Sequence, residues 1–350
     1  MIDVKKEGVI LKKSLFDFEN DGVLNPAAIK ADNNIHLFYR AVRKGNHSSI
    51  GHCLLNAPLS VAERTPEAVL SPEFDYESQG VEDPRIVRID DLYYLSYTAF
   101  DGVNALGALA TSGDLLNFNK LGIIVPRLSY NEFNRLTSKN GAINKKYKRY
   151  NNHQRGQKGG NTFVWDKNLV FFPRRIQGKL CFLHRIRPDI QIVSVGELSE
   201  LNAAFWEDYF LHFEEHVVLS PKHKHEVSYI GAGCPPIETA HGWLMIYHGV
   251  HDTVNGYVYS ACAALLDLDH PGKELSRLAY PLFKPEFDWE LKGEVNNVCF
   301  PTGAVVQDDT LYIYYGAADE QIACASLSMN ALLDELCANI TKNENKQNTA

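Results

Sequence analysis

No apolar run in this 350-residue chain approaches the roughly 18 residues that a membrane-spanning helix needs. The opening MIDVKKEGVILKKSLFDFEN interleaves charge with apolar residues and has no uninterrupted core of signal-peptide length, so the chain reads as cytoplasmic. Positive charge is in deficit: 35 Lys and Arg face 43 Asp and Glu, a net charge of -8, which leaves no electrostatic case for nucleic acid or an anionic membrane. Cysteine is sparse and unpatterned. The seven residues Cys53, Cys181, Cys234, Cys262, Cys299, Cys324 and Cys337 are odd in number and form no C-x-x-C pair, so neither a disulfide framework nor a zinc site is implied. No metal and no cofactor is expected.

What the chain does have is aromatic residues, 17 Tyr and 17 Phe against 3 Met, gathered in short β-rich runs. One such run recurs: IHLFYRAV at 35–42, LYYLSYTAF at 92–100, KLCFLHRI at 179–186, GWLMIYHGV at 242–250 and TLYIYYGAA at 310–318. Taking Tyr39, Tyr97, His184, Tyr247 and Tyr315 as register points gives spacings of 58, 87, 63 and 68 residues. Units of about 60 residues, each with room for four strands, are the signature of propeller blades. The expectation is an all-β, five-bladed β-propeller forming one catalytic domain over 1–340; a large antiparallel sandwich is the competing architecture. The one long spacing contains a polar, basic stretch near 128–160, expected as a helical insertion that could lie over the channel. Residues 328–339 have helical apolar spacing and are expected as a closing helix, with 341–350 as a polar, disordered tail. The helical arm also offers a surface for homo-oligomer formation.

If the recurring strands surround the axis, the ionisable residues at their ends, Arg40, Asp101, Arg185, His248 and Asp319, converge on a shared polar pocket. In GVEDPRIV, Pro84 restricts the backbone of Asp83, and Arg85 can orient its carboxylate beside Glu82; the competing reading is a turn with a structural ion pair. HKHEVSYIGAGCPPIETAHGWLMIYHGV at 223–250 brings Glu226, Tyr229, Glu238 and His248 around a Gly- and Pro-rich loop. His223 and His225 alternate as on a strand and lack further ligands nearby, so they are not read as a metal site.

LNPAAI at 24–29, FYRAV at 38–42, GVEDPRIV at 80–87, SYTAFDG at 96–102, FFPRRIQGKLCFLHR at 171–185, IGAGCPPIETAHGWLMIYHGV at 230–250, and GEVNNVCFPTG with YYGAAD within 293–319 together resemble glycoside hydrolase family 130. The resemblance spans nearly the whole chain in order. It implies a five-bladed propeller acting on β-mannosides, by inverting phosphorolysis or inverting hydrolysis. Carried over, Asn25, Arg40, Asp101 and Asp319 hold the terminal mannose, and Asp83 is the catalytic acid. Lys167, Arg185 and His248 match the phosphate cradle of the phosphorylases, but Tyr229 stands where a lysine is usual, with Glu226 three residues before it. Losing one charge-assisted phosphate contact costs about 1.5–3 kcal/mol, and a carboxylate there resembles the base an inverting hydrolase needs. The expectation is therefore a hydrolase releasing mannose from β-1,2-linked mannosides, with Glu226 as base and Glu238 as its fallback. The alternatives are a phosphorylase using inorganic phosphate to make mannose 1-phosphate and a non-catalytic mannoside-binding propeller.

Overall fold

The computed structural model of the chain describes residues 1–138, Tyr147 and 162–347. It is mainly β, and its strands fall into antiparallel sheets that follow one another along the chain. Strand β1 (Lys5–Leu11) precedes the first unit, β2 (Gly22–Ala31), β3 (Asn34–Arg43), β4 (His47–Ala57) and β5 (Ser60–Arg64). A second unit contains β6 (Gly80–Ile89), β7 (Leu92–Phe100), β8 (Ala105–Ser112) and β9 (Asn119–Ile123); a single parallel bridge, Ser48 to Gly80, joins it to the first. The third comprises β10 (Lys167–Phe171), β11 (Leu180–Arg185), β12 (Ile190–Val195) and β13 (Val217–Leu219). In the fourth, β14 (Tyr229–Ala232) and β15 (Ile237–Thr239) both pair with β16 (Gly242–Thr253), which is followed by β17 (Gly256–Leu266) and β18 (Glu274–Arg277). The last unit takes β19 (Cys299–Gln307), β20 (Thr310–Ala317) and β21 (Gln321–Ser328) from the C-terminal end and β1 from the N-terminal end.

Apolar side chains explain this stacking. On β16, Leu244 and Ile246 enter one core cluster while Trp243, Met245 and Tyr247 enter another, so both faces of the strand are buried and the sequence reads as a nearly continuous apolar run. Five such clusters lie between consecutive sheets, and one of them joins Tyr314 and Ile322 of the last unit to Leu37 and Tyr39 of the first. Helix α1 (Tyr130–Thr137), capped by Ser129, lies in the expected insertion and packs Phe133 against Phe210 of α2 (Ala203–Leu211). Residues 139–160 of the expected insertion, Tyr147 apart, are outside the described residues. A one-turn helix, α3 (Asp288–Leu291), precedes β19. The C-terminal helix α4 runs Met329–Gln347, so residues 341–347, expected as disordered tail, continue the helix in a stretch of residues with fair helix propensity. Leu332 and Leu336 seat it on the cluster between the fourth and fifth units.

The recurring aromatic runs form the second strands β3, β7, β11, β16 and β20. The first strands β2, β6, β10 and β14 instead pack on one another in succession, with β19 against β2 and β6. The register tyrosines serve a buried carboxylate in four units. Glu19, Glu77, Glu226 and Glu290, all fully buried, stand at or next to the end of a short helical turn ahead of the first strand. Tyr39, Tyr97, Tyr247 and Tyr315 donate their hydroxyls to these carboxylates in the same order. The outermost strand of each unit then supplies a cation: Arg64 on β5 at 2.8 Å, Lys120 on β9 at 2.6 Å, Arg277 on β18 at 3.3 Å and Lys6 on β1. The third unit has His184 in the tyrosine position, between Asp166 (2.8 Å) and Tyr209 (2.7 Å).

Glu226 is therefore one of four copies of a structural latch, which corrects its expected place as a base facing the pocket. Tyr247, Arg277 and the backbone N–H groups of Lys222 and His223 occupy both its oxygens. Burial raises its carboxyl, but those partners outweigh burial and hold it below the ordinary 4.5. Its stabilising contribution is thus present above pH 4.5 and lost as the pH falls. Substituting Glu226→Gln removes the buried charge that Tyr247 and two backbone N–H groups hold while Arg277 keeps Glu274 at 2.6 Å, and denaturant titration at pH 7 should show a loss of about 1–3 kcal/mol with turnover per folded molecule unchanged. Intact stability with turnover abolished would return Glu226 to the chemistry.

Candidate active site

The first strands share a backbone irregularity at one level. Registers shift between Leu24 and Ala27, Glu82 and Arg85, Lys167 and Val170, and Pro301 and Gly303, while β14 gives way to β15 across Gly233–Pro236. At the first three of these breaks stand Asn25, Asp83 and Asn168, with φ of 50°, 50° and 54°. Asn and Asp are the side-chain-bearing residues that best tolerate the left-handed region. The bulge turns an extra side chain out of the ladder, and here those side chains meet.

They meet at a cavity of about 120 Å³. On its acidic side are Asp83 and Asp319; on its basic side are Lys167, Arg185 and Arg187; Asn25, Arg40, Asn168, Tyr229, Tyr259, Val298 and Phe300 complete the lining. A larger cavity of about 560 Å³ adjoins it and shares Arg40 and Asp319. Lys167 and Arg185 are direct partners across β10 and β11.

Asp83 is buried and heavily held. Asn25 donates to Oδ1 at 2.7 Å, Arg85 donates to its backbone carbonyl at 2.7 Å, and Arg40 and Lys167 lie 3.9 and 4.0 Å from its carboxylate. Burial pushes this carboxyl up, but Lys167, Arg40, Arg85 and the Asn25 amide together hold it below the ordinary range. Glu82 pairs with Arg40 at 2.9 Å and approaches Lys167 at 3.8 Å. Asp319 goes the other way: burial, with repulsion from Asp83 and Glu82, exceeds the pull of Arg40 and Lys167 and raises it to about 6.

The basic side is under-compensated. Burial and the neighbouring Arg187 charge bring Arg185 down to about 10, and burial lowers Lys167 against the pull of Asp83 and Glu82. Neither Arg185 nor Arg187 has a carboxylate within 4.0 Å among the described residues, and the Nε atoms of both are buried without a partner. His248, fully buried beside Phe300, is held neutral by burial and the surrounding Arg185, Arg85, Arg187 and Lys167 charges; both its ring nitrogens lack partners. Gly231 opposes it on β14. A Cβ there would lie 2.5 Å from the His248 ring and 3.1 Å from Arg185, so only glycine lets these two side chains pack together.

Three further expectations are corrected by position. Asp101 does not line the cavity, because its carboxylate closes the turn after β7 by accepting from the Val103 and Asn104 N–H groups and the Asn104 amide. Glu238, the fallback base, is an exposed partner of Arg174 at 2.6 Å. His223 and His225 lie on a helical turn and not a strand, their rings stacked at 5.7 Å. The same turns in other units stack Phe16 on Phe18, Phe74 on Tyr76 and Phe287 on Trp289. His225, Glu226 and Cys262 do bring ligand-type atoms within 4.8 Å of one another, but the Arg277 guanidinium already neutralises that carboxylate. Sequence reasoning missed Asn168, Arg187, Tyr259 and Phe300. For Asn168 a signal existed, since Lys167-Asn168 repeats the register of Leu24-Asn25 and Glu82-Asp83.

The family described as beta-1,4-mannooligosaccharide phosphorylase matches residues 12–338. The 1,2-beta-oligomannan phosphorylase of Thermoanaerobacter sp. (strain X514) is 33% identical over 94% of this chain and 98% of its own. The beta-1,2-mannobiose phosphorylase of the same organism is 34% identical, covering 88% and 91%. Among solved structures, the Listeria innocua beta-1,2-mannobiose phosphorylase in complex with beta-1,2-mannobiose superposes with a TM-score of 0.71 at 22% identity, over 96% of this chain and 100% of that one. These relatives overturn the expectation of a hydrolase, which rested on Tyr229 in place of a lysine and on Glu226 as a base that the fold turns out to use elsewhere. A match across residues 12–338, with relatives more than 30% identical along most of the sequence, makes the chain a member of glycoside hydrolase family 130.

Proposed function

We propose that the protein is an inverting phosphorylase that transfers the terminal mannosyl unit of β-1,2-linked manno-oligosaccharides to inorganic phosphate, giving mannose 1-phosphate and a shortened oligosaccharide. The observation that carries this reading is the patch of Lys167, Arg185 and Arg187 with unpartnered buried donors, set against a carboxylate at the end of a small cavity. Five successive strand units, the first two joined by the single Ser48–Gly80 bridge, with apolar clusters between consecutive neighbours support a five-bladed propeller with this patch near its axis.

Cavity sizes support a division of labour. The larger space lies within the roughly 300–1,000 Å³ of small-molecule sites and suits sugar rings, with Arg40 and Asp319 at its junction; the smaller, cationic one suits a tetrahedral anion. Phosphate then attacks the anomeric carbon from the face opposite the glycosidic oxygen. That C–O bond breaks, and the departing oxygen takes a proton delivered from Asp83. Phosphate is already a nucleophile, so the reaction needs no second carboxylate to activate water. Asp83 must nevertheless acquire a proton. Phosphate bound at Lys167 offsets the largest of the charges that hold Asp83 low, so anion binding itself shifts this carboxyl toward the acid form.

Incubation with β-1,2-mannobiose should give mannose 1-phosphate only when phosphate is present; free mannose at a phosphate-independent rate would overturn the reading. Asp83→Asn should lower turnover by about 10²–10⁴-fold while leaving mannobiose binding measurable by calorimetry, the result that separates an enzyme from a binding module.

Asp319 carries a pH signature. Its folded value of about 6 exceeds the ordinary 3.8, so its favourable contribution is complete below pH 3.8 and is lost as the pH rises through 6. Asp319→Asn removes that cost. At pH 8 the ligand-free variant should melt about 1–2 °C above the wild type, the shift for roughly 1 kcal/mol in a chain of this length, the gain should shrink at pH 4, and mannoside binding should weaken.

A further inference from the structure

Arg187 lies just beyond β11 and lines the same small cavity as Lys167 and Arg185. Its guanidinium stacks over the Tyr229 ring at 4.0 Å, and Arg185 approaches the same ring at 5.3 Å. The Tyr229 hydroxyl is hydrogen-bonded to that of Tyr259, whose own ring faces the cavity, so the platform beneath the two arginines is anchored from β14 to β17. Two neighbouring guanidinium groups repel each other, and a pair with no carboxylate within 4.0 Å among the described residues is an arrangement that an anion relieves. Stacking fixes the plane of Arg187 while leaving the edge of its fork for oxygen ligands, and its Nε is buried without a partner.

We propose that Arg187, held flat on the Tyr229–Tyr259 platform, is a phosphate-binding residue that determines the enzyme's affinity for its inorganic co-substrate. This rests on the phosphorylase reading. The tyrosine that removed a cation from position 229 thereby positions another from the turn after β11. Arg187 acts on the anion and not on the sugar, whose larger cavity it does not line.

The test measures inorganic phosphate binding by calorimetry and initial rates with β-1,2-mannobiose, using the full chain, Arg187→Met and Arg187→Lys. Arg187→Met should weaken phosphate binding and raise the phosphate KM about tenfold to hundredfold, with the mannobiose KM unchanged. Arg187→Lys, which keeps the charge but not the planar fork, should recover only part of the loss. Melting curves of both variants confirm folding. Phosphate affinity unchanged in folded Arg187→Met would overturn the proposal, as would a wild type that binds no phosphate. A wild type that binds phosphate through Arg187 yet releases only free mannose would overturn phosphorolysis and leave this assignment standing.

Discussion

A carboxylate buried without water is tolerable only when its lone pairs and its charge are met together. This chain meets that condition four times in the same way: a glutamate at the end of a helical turn, a tyrosine from the second strand and a cation from the outermost strand. Each latch ties three parts of one sheet unit that are distant in sequence. In the last unit the cation is Lys6, so the same interaction that secures a sheet internally also joins the two ends of the chain. Directionality is what the latch adds to the apolar clusters between sheets: where both faces of a strand are buried, a slipped register still buries apolar side chains, whereas the latch accepts a single alignment.

Fixing the second and fourth strands frees the first from any need for regularity. The left-handed residues Asn25, Asp83 and Asn168 interrupt the inner ladders at one level, and the side chains exposed there supply the cavity. Where each latch matches its buried acid with a cation, the inner site leaves Arg185 and Arg187 without close carboxylates among the described residues and raises Asp319 to about 6. The contrast in compensation separates charges that hold the fold from charges that await a ligand.

The sequence made the repeat legible because the second strands are buried on both faces and therefore carry long apolar runs ending in aromatic residues. It also exposed the Asp83 segment, Asn25, Arg40, Lys167, Arg185 and Asp319, which the fold brings to one cavity. It misled at Glu226. A glutamate near a glycine loop looks catalytic in isolation, yet FDFE at 16–19, FDYE at 74–77 and FDWE at 287–290 share its place, and HKHE at 223–226 is their counterpart with histidines for the stacked rings. Arg187 was illegible for a different reason: its role arises from a contact between the turn after β11 and β14 of the next unit, and no spacing within one segment encodes that contact.

The error at Glu226 and the omission of Arg187 are linked through position 229. Counting cations by strand register makes a tyrosine at 229 look like the loss of the anion site and turns attention to the nearest acid. In three dimensions the aromatic face is itself a binding surface for a guanidinium, and Arg187 occupies it at 4.0 Å. A phosphate site is defined by where positive charge can be held, whichever strand delivers it. The distinction between phosphorolysis and hydrolysis therefore depends on the field across the cavity as a whole, and Lys167, Arg185 and Arg187 give that field the sign an anionic nucleophile requires.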